Sequence, residues 1–239
     1  MNNNIAEHDI PSTSLGQIVE GQLQVIAQDE LPTIRIKDAW LLREHASTHL
    51  HELWGEGKEL ADDNWMKWKV GEYKKAWEPY EQRILLGMTE TLGLSFRQNI
   101  IDVNIAPWFH AFSDPLVIGV MQDPDVFIDT LTHELLHRLL TDNTTIPYEM
   151  QTDLIPEWRR LFGKDHTFTS LVHIPVHAIH KAIYLDILKE PKRLERDIAN
   201  NEQYEATDYM SAWSYVDKIG YKKIIKKLRG SYLNLSIQS

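Results

Sequence analysis

The stretch "FIDTLTHELLHRLL", residues 127–140, decides how this chain is read. Ile128, Leu131, Leu135, Leu136 and Leu139 recur at helical spacing and form one apolar arc, while His133 and His137 share the opposite arc with Asp129 and Thr130. Asp123 stands where an N-cap belongs, Pro124 suits the first helical position, and Asn143 with Pro147 marks a stop. The spacing therefore predicts a helix over 124–141, packed on a sheet by its apolar arc, with the two histidines facing away from the core.

Residues four apart on a helix differ by about 40° in azimuth and about 6 Å along the axis, so both imidazoles can reach one cation. Glu134 is turned about 100° from His133, which sets its carboxylate beside such an ion, in position to take a proton from an attacking water. An exposed helix face with two unrelated histidines is the competing explanation, but it does not require a glutamate in this register.

Composition narrows the chemistry. The chain has 239 residues, 43% of them hydrophobic, enough for a sizeable core. It has no cysteine, so any metal must be held by His, Asp or Glu. A net charge of -10 disfavours nucleic acid as a partner, and the basic cluster Lys222, Lys223, Lys226, Lys227 and Arg229 reads as the solvated face of a terminal helix. With no long apolar run and no signal-like start, neither a membrane span nor export is expected, and the location expected is cytoplasmic.

The order of elements implies an α+β fold. Residues 1–30 are polar and expected to be a flexible segment, and 31–239 to be a single domain. "PTIRIKDAW" offers a short alternating strand, residues 39–55 and 64–92 read as helices, and "NIIDVNIAP" and "PLVIGVM" read as strands of one sheet. Trp65, Trp68, Tyr73, Trp77 and Tyr80 form an aromatic stripe of the kind that packs a core. After the 124–141 helix come a short helix near 150–162, a helix over 169–189, and two more to the end, so that 31–145 carries the sheet and 146–239 is helical.

Catalytic zinc takes three protein ligands and one water, so a third ligand is needed. His173, His177, His180 and Tyr184 fall within about 60° of one another on an otherwise apolar helix, and a buried polar stripe needs partners. His177 is the preferred ligand, because Pro175 in the first helical turn would leave His173 at an irregular start. His173, His180, Asp186, Glu202 and Glu205 stay open for the same place. Unbound histidines and Tyr184 could donate to a developing oxyanion, or could simply be satisfied by backbone carbonyls. Asp129, one turn before His133, could orient its imidazole or be a helix-start aspartate favoured by the dipole.

With His133, Glu134 and His137 in this order, the chain resembles the zincin metallopeptidases over roughly residues 98–190. The resemblance implies a zincin-like α+β fold with a small mixed sheet, the active-site helix packed on it and a mainly helical C-terminal part. It further implies one zinc ion, His133 and His137 as ligands, Glu134 as general base, a peptide or protein as substrate, and "PLVIGVM" as the edge strand beside the cleft. The 169–189 helix lacks the third-ligand glutamate of the gluzincin branch, and "RLLTDNTTIPY" lacks the glycine and histidine of the metzincins. The function expected is zinc-dependent peptide hydrolysis. Two competing functions are a non-catalytic zinc-stabilised binding domain, which His173 and His177 together would close with four ligands, and a helical interaction protein with a vestigial site.

Overall fold

The computed structural model describes residues 31–45, 62–107, 109–120, 123–203 and 206–237. The expected flexible segment 1–30 lies outside them. Of the helix expected over 39–55, residues 40–45 are helical and 46–55 lie outside the described residues.

The fold is α+β, and the described residues form a small mixed sheet of four strands: β1 (Thr33–Asp38), β2 (Ile100–Ala106), β3 (Phe112–Ser113) and β4 (Leu116–Gly119). In β1 the alternation Ile34, Ile36 inward and Arg35, Lys37 outward is what a strand with one wet face requires, and Asp102 of β2 accepts from both cations. The order is β1-β2-β4-β3, with β1 and β4 parallel to β2 and β3 antiparallel to β4. A parallel neighbour needs a crossover, and between β1 and β2 the described residues include the helical stretch 40–45 and two longer helices: α1 (Asp63–Trp77), capped by the Asp62 carboxylate, and α2 (Glu81–Leu92), ended by Gly93 at φ 70°. The single helix expected over 64–92 is thus broken at residues 78–80. Of its aromatic stripe, Tyr73 and Trp77 are buried, whereas Trp68 is exposed.

Strand β4 is not the edge that the resemblance implied. It lies between β2 and β3, runs parallel to β2, and pairs Leu116 and Val117 with the two residues of β3. Two residues are too few to show an alternation, so β3 was illegible. Gly119 explains how the chain passes over: a Cβ there would meet the Phe109 carbonyl at 2.8 Å.

Helix α3 (Pro124–Thr141) packs on the strands and on α1. The Asp123 carboxylate accepts from the Asp125 amide at its start, as the spacing predicts. Tyr73 of α1 stacks on Phe127, with centroids 4.1 Å apart, and donates its hydroxyl to the Val120 carbonyl at 2.8 Å. Leu131, Leu135, Leu136 and Leu139 are fully enclosed, each contributing on the order of 1.5–3 kcal/mol by leaving water.

The remainder is helical: α4 (Tyr148–Gln151), α5 (Leu154–Phe162), α6 (Phe168–Ala182) continued by a π-helical segment (Ile183–Leu188), α7 (Pro191–Gln203), α8 (Thr207–Ile219) and α9 (Tyr221–Ile237). Gly87 of α2 lets the π segment approach, since a Cβ there would lie 3.0–3.2 Å from Ile183 and Ile187. Lys222, Lys223, Lys226 and Lys227 occupy the exposed face of α9, with Ile224 and Leu228 beneath. One apolar cluster joins Ile34 of β1 to Tyr232 of α9. No helix among the described residues is long and apolar enough to cross a membrane.

Candidate metal centre

The arc of α3 that carries His133 and His137 does not face away from the protein. Helices α6 and α8 close over it, so the histidines lie between the helical part and α3. An arc opposite one apolar neighbour is free only if nothing else packs there, and no local spacing announces these two later helices. The Nε2 atoms of His133 and His137 are 3.2 Å apart. His173 of α6 completes a trio, with one ligand atom from each of His133, His137 and His173 lying within 4.8 Å of the others. Tetrahedral zinc with bonds of about 2.0–2.1 Å needs nitrogens roughly 3.4 Å apart, close to the spacing the His133–His137 pair already has, with His173 to be drawn in from within 4.8 Å.

Which nitrogen of His173 faces the others is set locally. Its Nδ1 lies 2.6 Å from the Thr169 carbonyl and donates to it, leaving Nε2 with a free lone pair. Burial, and for His133 and His137 the neighbouring imidazoles, hold all three pKa values down, His137 to about 3. At neutral pH the trio therefore consists of uncharged imidazoles, the form that binds a cation. A buried group of three neutral histidines able to hold a metal ion is what the residues present amount to.

Glu134 is buried beside the trio, and burial pushes its carboxyl up to about 7. Tyr209 of α8 lies over the site, its ring centroid 4.0 Å from that of His173 and 6.2 Å from that of His133. Burial raises its hydroxyl above the usual value, and the charge of Glu134 adds to the effect.

His177, the preferred third ligand, is not one of the three. It is fully buried and stacks on Trp213 of α8 at 4.1 Å and 9°, with neither ring nitrogen hydrogen bonded. The physical reason lies in the start of α6. The helix begins at Phe168, with Thr167 as its cap accepting from the Ser170 amide, so Pro175 sits mid-helix rather than in the first turn and His173 lies in regular helix. A proline there forfeits one backbone bond, which a fully packed helix tolerates.

His180 and Tyr184 continue the stripe inward and are both fully buried, their rings 4.2 Å apart. Asp186 accepts from Tyr221 and Glu202 is exposed, so neither acidic residue joins the trio, and Glu205 lies outside the described residues. Asp129 does not orient His133. Its carboxylate accepts from Arg193 Nη1 at 2.9 Å and from Arg196 Nε at 2.9 Å, both on α7. Arg193 also bonds Asp125 and Glu190 and covers the Tyr80 ring, tying α7 to the start of α3.

Tyr209, Trp213, Arg193, Arg196 and Asp197 surround the site without having been expected from the sequence. None belongs to a local motif, and "RLERD" at 193–197 has the composition of any wet helix face. No protein-family model, no curated protein and no solved structure matches this chain.

Proposed function

We propose that this chain is a zincin-like hydrolase that binds one zinc ion at His133, His137 and His173 and uses Glu134 as general base on a peptide bond. The observation that carries the reading is the arrival of His173, from a separate helix, at the pair on α3, with the buried Glu134 in register beside them. Zinc held there supplies Lewis acidity, activating a water and polarising a carbonyl.

The chain's own groups do the rest. Glu134 takes a proton as the bond to the carbonyl carbon forms and returns it to the leaving amine, work suited to a carboxyl raised to about 7. Tyr209, lying over His173, has a hydroxyl available to donate to the developing oxyanion. The Thr169 carbonyl keeps the His173 imidazole in one tautomer. Pairing of an extended substrate with β4 drops out of the reading, because β2 and β3 already occupy both sides of that strand at Val117. The peptide class therefore rests on the likeness of the site to that of zincins.

The test is metal analysis of the purified chain combined with cleavage of a mixed peptide library. We expect one zinc per chain, cleavage by the parent, and in Glu134→Gln the same zinc with cleavage reduced on the order of 10²-fold or more. A Glu134→Gln variant with full turnover would remove the general-base assignment.

One observation favours a second reading, a closed structural site. The ring centroid of His177 lies 5.5 Å from His173 and 5.9 Å from His133, and neither of its nitrogens has a partner. X-ray absorption of the zinc-loaded chain separates the two: three imidazoles and one oxygen for the hydrolase, four imidazoles for the closed site.

A further inference from the structure

Beyond the trio, the core holds a second polar group that the proposed reaction does not use. His180 of α6 and Asp197 of α7 face each other, Nδ1 to Oδ2, at 3.5 Å. His180 is fully buried, and neither of its ring nitrogens nor Asp197 Oδ2 has a hydrogen-bond partner. A buried polar atom left without a partner is destabilising, and a leucine at position 180 would avoid that cost for the two nitrogens. The imidazole is explained if it serves a neighbour on each side. On one side stands the Asp197 carboxylate. On the other stands His133, its ring edge-on to that of His180 at 64° with centroids 5.9 Å apart.

A metal-bound imidazole holds its orientation by donating its second nitrogen to an outer acceptor. His173 has one in the Thr169 carbonyl. The only hydrogen-bond partner of His133 among the described residues is His137, a fellow member of the trio. Asp129, one turn earlier on the same helix, is the natural outer acceptor, but Arg193 and Arg196 hold its two oxygens. His177 and His180 both have ring centroids 5.9 Å from that of His133, but His177 lies flat on Trp213, whereas His180 has the Asp197 carboxylate behind it.

We infer that His180 and Asp197 are positioning residues of the metal centre: Asp197 accepts from His180 Nδ1, and His180 Nε2 accepts from the non-ligating nitrogen of His133. The inference rests on the metal reading above and adds to it a support built from α7, a helix that contributes no ligand.

The experiment uses the full chain with zinc as the probe and a competing chelator to read affinity. His180→Gln and Asp197→Ala should each bind zinc about 10–100-fold more weakly than the parent. Asp197→Glu should recover part of that loss, which a purely structural role of the site would not give. In the zinc-loaded parent, side-chain nitrogen NMR should show His133 as a single tautomer with its proton on the nitrogen facing His180, and a protonated His180 Nδ1 shielded from solvent exchange. Both signals are read without any substitution, so a variant that fails to fold leaves the question answerable. Parent-like zinc affinity in both variants, or a solvent-exchanging His180 Nδ1 in the loaded parent, overturns the support alone. A parent that takes up no zinc overturns the metal reading and the support together.

Discussion

Helices α3 and α6 each present histidines one turn apart, yet they use them differently. On α3, His133 and His137 bring their Nε2 atoms to 3.2 Å of each other, aimed at one point. On α6, His173 joins that point, His177 lies flat on Trp213, and His180 turns to Asp197. Equal spacing along a helix therefore does not mean equal use. The ring partners supplied by α7 and α8 decide which imidazoles converge.

The sharpest way to break this contrast is to remove one histidine from each group. His137→Ala deletes one of the three proposed ligands and should abolish zinc retention, whereas His177→Ala should keep one zinc per chain, as measured by metal analysis after dialysis. If His177→Ala loses the zinc as fully as His137→Ala does, the trio is the wrong set and the four-imidazole site takes its place.

A second contrast concerns the two buried aspartates. Asp129 has two arginines on its oxygens, whereas Asp197 has one unpaired oxygen beside His180. Burial raises the carboxyl of each, Asp197 to about 7. Removing Asp129 leaves Arg193, itself 4% exposed, without its closest buried counter-charge. Asp129→Ala should cost roughly 3–5 kcal/mol in denaturant unfolding, while Asp197→Asn, which strands no cation, should cost clearly less. Equal losses would mean that the arginine clamp is not what joins α7 to α3.

The same asymmetry explains what the sequence disclosed. Helix α3 was legible from Asp123 to Thr141 because its cap, its proline and its apolar period are all local, and the pair with Glu134 between came with it. Strand β1 is legible from its alternation, and β2 and β4 from their β-branched runs. The sequence prefers His177 to His173 for the third place because the local rule puts Pro175 in a first helical turn, whereas in the structure Pro175 sits mid-helix and His173 is the one grouped with the pair. Asp129 was illegible in a different sense: its partner Arg193 lies 64 residues away. Tyr209 and Trp213 come to the site through the fold of the last helices, and no spacing in the sequence announces that.

The smallest effect is also the one that involves the most groups. Burial holds His133, His137, His173, His177 and His180 below their ordinary pKa, so below about 6.5 the folded, metal-free chain binds fewer protons at these rings than the unfolded chain does. These depressed imidazoles lower stability as pH falls. Glu134, Asp197 and Asp129 act in the opposite sense, since their raised carboxyls keep protons in the folded chain that the unfolded chain releases, which favours folding as pH falls from about 7 toward 4. Five imidazoles outweigh three carboxyls, so unfolding takes up protons between pH 6.5 and 5. Stability there should fall by on the order of 1–3 kcal/mol per pH unit, read from denaturant midpoints with chelator present. His177→Phe, which keeps an aromatic ring against Trp213, should flatten that slope by about one proton, roughly 1.4 kcal/mol per unit. A metal-free chain whose stability is flat or rises as pH falls from 6.5 to 5 would mean that these imidazoles are not held neutral in the core, and the contrast between α3 and α6 would lose its physical basis.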